Sequence, residues 1–301
     1  HPRGSAPGPH LLAGPKGAKV VHEEIGSEDS HARALWGLGI TVRRGHMNDI
    51  CMLADEIFRK ALRVVPEFYS LRPCAYALLG IDEYLRSTRD VEAEPACEYR
   101  DLLAQRLWER WTRGADDEWP WWENVLSWGN AKLPHALLIA GLRLDRQDIV
   151  DAGLKSLSWL LDVQTGDDGQ LSVIGNDGWY VRGKKKARYD QQPIEAKALV
   201  QACLTAALIS RDVYWTNEAK RCFEWFTGRN DAGKPMYNPN TGGGFDGLSF
   251  REIRDRHPRV FGEFVVNSWE SVPNAERSDS LIARALDSWN QMVTLANRGN
   301  R

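Results

Sequence analysis

Apolar residues return at three- and four-residue intervals through most of the chain. Helical spacing runs over Ala32–Val42, Ile50–Val65, Cys74–Leu85, Cys97–Trp111, Leu133–Leu144, Ile149–Val163, Ile194–Ser210 and Tyr214–Phe226. The runs stop at Arg43-Arg44-Gly45, at Pro66 and at Gly114, as helices do where Gly or Pro ends them. Period-two segments are confined to Leu171–Ile174 and Phe261–Asn267. The predicted chain is therefore close to all-α.

The helices alternate in kind. Those beginning near Ser30, Pro73, Ala131 and Pro193 are rich in small residues and apolar nearly all round, which suits inner helices. Those beginning near Ile50, Ala96, Ile149 and Tyr214 carry charges on one face, which suits outer helices. Inner and outer segments in alternation, at a period of about 40 to 60 residues, are the pattern of a helical-hairpin repeat closed into a ring. The expected fold is all-α, an (α/α)6 toroid of helical hairpins, incomplete at its C-terminal end. The expected organisation is a flexible lead-in over 1–26, the toroid domain over 27–250 and an atypical tail over 251–301.

Polar groups gather where the inner helices begin. Ser27-Glu28-Asp29-Ser30-His31, Trp128-Gly129-Asn130-Ala131-Lys132 and Tyr189-Asp190-Gln191-Gln192-Pro193-Ile194-Glu195 each lead into an apolar run. Such groups are costly to bury unless they meet a ligand or each other. Glu28, Asp29 and Asp190 have a simple alternative as helix caps, and His31 as a hydrogen-bonded core residue. The pair Gln191-Gln192 offers donors and acceptors for sugar hydroxyls or for an internal network. Glu195, one turn on, shares their face. The loop Asn176-Asp177-Gly178-Trp179-Tyr180 is either a turn or one wall of a site.

Composition narrows the chemistry. The chain is 43% hydrophobic and 27% charged with a formal net charge of −2, enough for a sizeable core and unlike a nucleic-acid-binding or anionic-membrane surface. Lys184-Lys185-Lys186 is the one basic cluster of note and reads as a solvated loop. Five cysteines in no CxxC spacing speak against a metal site or a disulfide framework and fit a reducing, cytoplasmic setting. No secretory leader and no apolar stretch of about 18 residues is read, so no membrane partner is expected. Thirteen tryptophans are many. Trp119, Trp121, Trp122 and Trp179 fall in loops, where indoles serve equally as core lids or as faces for sugar rings. Glycoside cleavage needs two carboxyl groups flanking the bond. The candidates are Asp29 and Asp190 first, Asp177 and Glu195 next, with Glu123 and Asp246 also available. Thr241-Gly242-Gly243-Gly244 lacks the Lys of a P-loop and reads as a turn presenting Phe245 and Asp246. No cofactor or metal motif is present.

These segments resemble a bacterial family of six-hairpin, glycosidase-like (α/α)6-toroid proteins, found alone or fused to glycosyltransferases. The resemblance rests on Glu28–Trp36, on Trp121-Trp122-Glu123 with Asn130–Pro134, on Gly175–Tyr180, on Asp190–Pro193, and on Thr241-Gly242-Gly243 with Asp246-Gly247-Leu248. It implies a domain that binds and cleaves a glycan, with Glu28, His31, Trp122, Glu123, Asn130, Asn176, Trp179, Gln191, Gln192 and Asp246 around the substrate and a glycosyltransferase as partner. The rival expectation is a non-catalytic glycan-binding or scaffolding module. Isoprenoid cyclisation, another use of helical toroids, finds only Asp116-Asp117 in its support. After Leu248 the family pattern is lost. Ile253–Arg259 is what a coding of Asn-Gln-Gly-Pro-Ala-Ser-Thr gives when read one nucleotide late, so a frame shift between Leu248 and Ile253 is expected, and the nucleotide sequence tests it.

Overall fold

A computed structural model describes residues 26–87, 93–238 and 243–249, with the backbone of 253–254. The lead-in before Gly26, the period-two segment Phe261–Asn267 and the expected frame-shifted tail lie outside the described residues, apart from that short piece of backbone. Two compact units divide at Tyr99 and Arg100.

The first unit holds α1 (Glu28–Arg44), α2 (Asn48–Leu62), α3 (Leu71–Leu85) and the start of α4 (Glu94–Gly114). Ser27 caps α1 by accepting from the Ser30 amide at 3.2 Å. Glu28 and Asp29 in its first turn and Arg43 and Arg44 in its last oppose the helix dipole. The helix packs along α3, and α2 folds back on α1. Gly39 and Gly80 allow the close crossing of α1 and α3: a Cβ on Gly80 would fall 2.6 Å from the Trp36 Cα. Every side chain of α3 from Leu71 to Asp82 is buried. That is the inner helix its sequence promised.

The second unit holds the rest of α4, then α5 (Lys132–Leu144), α6 (Gln147–Val163), α7 (Pro193–Ser210) and α8 (Val213–Thr227). α5 pairs with α6 and α7 with α8, while α5 and α7 pack on each other. α7 opens on Pro193, where the missing N–H is no loss. Among the described residues it is the one helix long and apolar enough to span a membrane by length and composition. That corrects the expectation that no such stretch exists. The physical reason for its composition is packing, because Ala198, Leu199, Ala202, Cys203 and Ala206 are buried in a helix that meets both α5 and α8.

Strand structure is slight. β1 (Val125–Leu126) pairs antiparallel with β2 (Tyr180–Val181), and β3 (Gly247–Leu248) with β4 (Ile253–Arg254). Leu171–Ile174, expected as a strand, is buried but makes only an isolated bridge from Leu171 to Thr165. Its alternation is too short to recruit a partner strand.

Candidate functional site

Four segments distant in sequence are tied together ahead of α7. The first is the turn-rich stretch from Gly175 to Asp190. Gly175 N donates to Ala187 O at 2.8 Å, Ala187 N to Trp179 O at 2.9 Å and Asn176 N to Asp190 O at 3.0 Å. Gly175 has to be glycine here, since a Cβ would collide with the Tyr189 backbone. Trp179 and Asp190 both hold left-handed backbone, with φ of 56° and 57°. Left-handed conformations are uncommon outside Gly and gather at functional sites. Both residues remain partly exposed, as do Asn176, Gln192 and Asp246, and Asp177 is exposed.

The second segment is Asp246-Gly247-Leu248. Gln191 and Leu248 exchange two backbone hydrogen bonds of 2.9 Å each. A Cβ on Gly247 would lie 3.0 Å from Gln191 O and 3.9 Å from Asp190 Oδ1, so this turn runs directly alongside the Asp190 carboxylate.

The third is Ser127–Asn130, held by Glu195. The Glu195 carboxylate is buried in the first turn of α7. It accepts from the Gly129 amide, from the Asn130 amide at 3.2 Å and from Asn130 Nδ2 at 3.2 Å. Asn130 is fully buried and also closes on Ser127, with Oδ1 accepting from Ser127 N and Nδ2 donating to Ser127 O.

The fourth is the turn after α8. Asp231, whose side chain is 1% exposed, accepts from Gln170 Nε2 at 2.9 Å, Ser172 Oγ at 2.7 Å and Gln191 Nε2 at 2.6 Å, and faces Arg188 at 3.5 Å. Burial pushes its carboxyl up, but the hydrogen bonds from Ser172, Gln170 and Gln191 and the charge of Arg188 outweigh this and hold it below the usual range. Gln191 Nε2 also donates to Arg188 O at 2.9 Å, and Gln191 Oε1 accepts from Trp225 Nε1 at 2.9 Å.

These surroundings correct several expected roles. Gln191 and Asn130 do not read sugar hydroxyls, because both are fully buried and their amides bond within the protein. Glu195 is not presented as a reacting carboxyl, since both its oxygens hold the lead-in to α5. Trp122 is no stacking face: it is 6% exposed, and its Nε1 donates to Leu107 O. Trp119 and Trp121 are buried with it, Trp119 tilted against Tyr180 with ring centres 5.2 Å apart. Glu123, partly exposed beside this cluster, accepts Trp119 Nε1 through its backbone carbonyl at 2.7 Å. Lys186 departs from the solvated-loop reading. Its long stem carries the ammonium to Val163 O at 2.8 Å and Ser172 O at 3.0 Å, where it closes the end of α6.

In the first unit, Glu28 accepts from the amides of Tyr69 at 3.1 Å and Ser70 at 2.9 Å. It thus holds the lead-in to α3 as Glu195 holds the lead-in to α5. His31, partly buried, donates from Nε2 to Ala61 O at 2.7 Å with its ring edge-on to Phe68. Asp29 Oδ2 accepts from Arg33 at 2.9 Å, while Asp29 Oδ1 is shielded from solvent and has no hydrogen-bond partner.

Among the described residues no three His, Cys, Asp or Glu side chains gather as a metal site. Sequence reasoning missed Asp231 altogether. Its one local signal was a turn, Asn230 to Gly233, following the Gly228 helix stop.

No protein-family model matches the chain, and no curated protein matches it in sequence. Solved structures do resemble it. An unsaturated glucuronyl hydrolase specific for heparin superposes with a TM-score of 0.56 at 13% identity, over 89% of this chain and 73% of the other. A D-mannose isomerase superposes with a TM-score of 0.54 at 12% identity, over 89% and 74%. Identity this low speaks to fold alone. The chain has the all-α fold of helical-hairpin toroids.

Proposed function

We propose that the chain is a carbohydrate-active toroid protein that binds a glycan where α7 begins and cleaves it by carboxyl acid–base chemistry. The observation that carries the reading is the pairing of Asp190 and Trp179. Both are partly exposed, both sit in left-handed backbone, and hydrogen bonds running through Ala187, Asn176, Gln191 and Leu248 hold their segments in place. An acid group and a flat apolar face on a rigid support are what a glycosidic bond and its sugar ring require. Asp190 is the candidate acid or base and Asp177 its candidate partner. Asn176, Gln192 and Asp246 supply hydrogen-bonding groups at the rim. The two structural neighbours, a glycan hydrolase and a sugar isomerase by their names, support a sugar as the substrate class. The sequence resemblance to glycosyltransferase-fused proteins extends the proposal to a glycosyltransferase partner. Five cysteines, all free, suit a cytoplasmic setting.

The test is product profiling over an oligosaccharide panel together with binding measurements. Asp190→Asn should lower turnover by about 10²–10⁴-fold, the usual contribution of a general acid or base, and leave glycan affinity largely intact. Trp179→Ala should weaken affinity. A chain that binds glycans without turning any over is a binding module. Indifference of both binding and turnover to both substitutions removes the site.

A further inference from the structure

The face of α2 turned away from its core carries Asp49, Glu56 and Lys60, as an outer helix should, but an apolar stripe beside those charges is also open to solvent. Ile50, Leu53 and Ile57 are 48%, 57% and 43% exposed, and the stripe continues to Val64 just past the helix end at 40%. The face on the other side of the stripe is already satisfied: Ala54, Phe58 and Leu62 are buried, and Phe58 stacks on Tyr84 with ring centres 4.0 Å apart. The stripe is therefore not needed to hold α2 in its own unit. A contiguous apolar surface of this kind marks an interface.

The charges beside the stripe identify the occupant. By helical phase, Asp49, Glu56, Lys60 and Arg63 all lie on one flank of it, and all are exposed. The acids stand toward the N-terminal half and the bases toward the C-terminal end. When two identical helices pack antiparallel about a two-fold axis, each flank meets the same flank of its partner in reverse order. Acid then faces base at both ends. Parallel packing sets this flank against the opposite one and loses the match. Lys60 now bonds Glu56 within its own helix at 2.6 Å, but both side chains are more than half exposed, so re-pairing across an interface takes little desolvation.

We propose that this apolar edge of α2, with the charged flank beside it, is the interface of a two-fold dimer of this chain, with α2 packed antiparallel on α2 of a second copy. One helix pair buries an area at the small end of specific interfaces, so the dimer should be weak and concentration-dependent.

Sedimentation velocity on the full chain over a concentration series tests this. The wild type should show a reversible monomer–dimer equilibrium. Leu53→Lys with Ile57→Lys should abolish the dimer with the melting temperature and circular dichroism unchanged, because both side chains project into solvent. Lys60→Glu with Arg63→Glu makes the flank wholly acidic and should abolish the dimer at low salt and restore it at high salt. A wild-type chain that is monomeric at every concentration overturns the proposal, whether another segment or another protein covers the stripe. So does a dimer indifferent to the Leu53/Ile57 variant. A dimer that loses nothing in the Lys60/Arg63 variant overturns the antiparallel arrangement.

Discussion

Two glutamates hold inner-helix starts by the same device. Each sits in the first turn of one inner helix and accepts two consecutive backbone amides that lead into a neighbouring one: Glu28 those of Tyr69 and Ser70, Glu195 those of Gly129 and Asn130. The difference is burial, Glu195 being 2% exposed and Glu28 partly exposed. Glu195→Ala strands buried donors at about 1–3 kcal/mol each, so a loss of roughly 2–5 kcal/mol is expected in denaturant melts. Glu195→Gln keeps an acceptor and should cost clearly less. Glu28→Ala, whose donors reach water, should cost at most about 1 kcal/mol. Equal losses at the two positions would contradict the account. Asp231 makes a pH prediction. Its carboxyl is held below the ordinary range in the folded chain, so its stabilisation is fully present above the unfolded carboxylate pKa and fades as pH falls through the folded one. Asp231→Asn should lower the melting temperature at neutral pH, and the gap to wild type should close in acid below about pH 4.

Helix pairs depend on small residues and on polar links between inner helices. Gly80→Ala forces a Cβ into the Trp36 backbone and should cost about 1–3 kcal/mol through overpacking, despite alanine's higher helix propensity. Gly37, on the same helix as Gly39, meets nothing within 4 Å, so Gly37→Ala should stabilise by up to about 1 kcal/mol. Thermal melts of the two variants should therefore move in opposite directions. Between α5 and α7, Lys132 Nζ donates to Gln201 Oε1 at 2.6 Å and His135 Nε2 is 2.9 Å from Thr205 Oγ1. Burial, with the Lys132 charge added, holds the His135 imidazole well below its usual range. The unfolded chain therefore binds a proton near pH 6.5 that the folded chain refuses, and stability drops as pH falls below about that value. His135→Gln should remove this component, so that the wild-type advantage shrinks between about pH 7 and pH 5. An unchanged gap would place the titration elsewhere.

For the whole molecule, the helix order expected from the sequence is the one observed, and the fold is that of helical-hairpin toroids; α3, α5 and α7 are enclosed as expected of inner helices, whereas α1, expected as another, buries only Ala32, Leu35 and Gly39. α5 and α7 are the most enclosed helices of their unit, so the α7 amides over 198–207 should be among the last to exchange in hydrogen-exchange mass spectrometry. Fast exchange there, with slow exchange in α6 or α8, would show that α7 is not the centre of the unit.

The sequence by itself determined which segments are helices, that α3, α5 and α7 are enclosed, and where polar groups gather at helix starts. Those features are local, because apolar spacing along a helix records which side is buried within a few turns. α2 marks a limit of that logic, since its pattern shows an apolar face but not whether that face is covered. Only the tertiary structure decided which polar groups are consumed internally. Gln191 meets Asp231 40 residues away, and Glu195 meets Gly129 66 residues back. Nothing in either local pattern encodes such a partner. Asp190 and Trp179 likewise hold left-handed backbone without being glycine, within a stretch closed by the bonds of Asn176 to Asp190 and of Ala187 to Trp179. A chain's own pattern fixes the burial of its faces, but satisfaction of a buried donor or carboxylate is a property of two segments brought together.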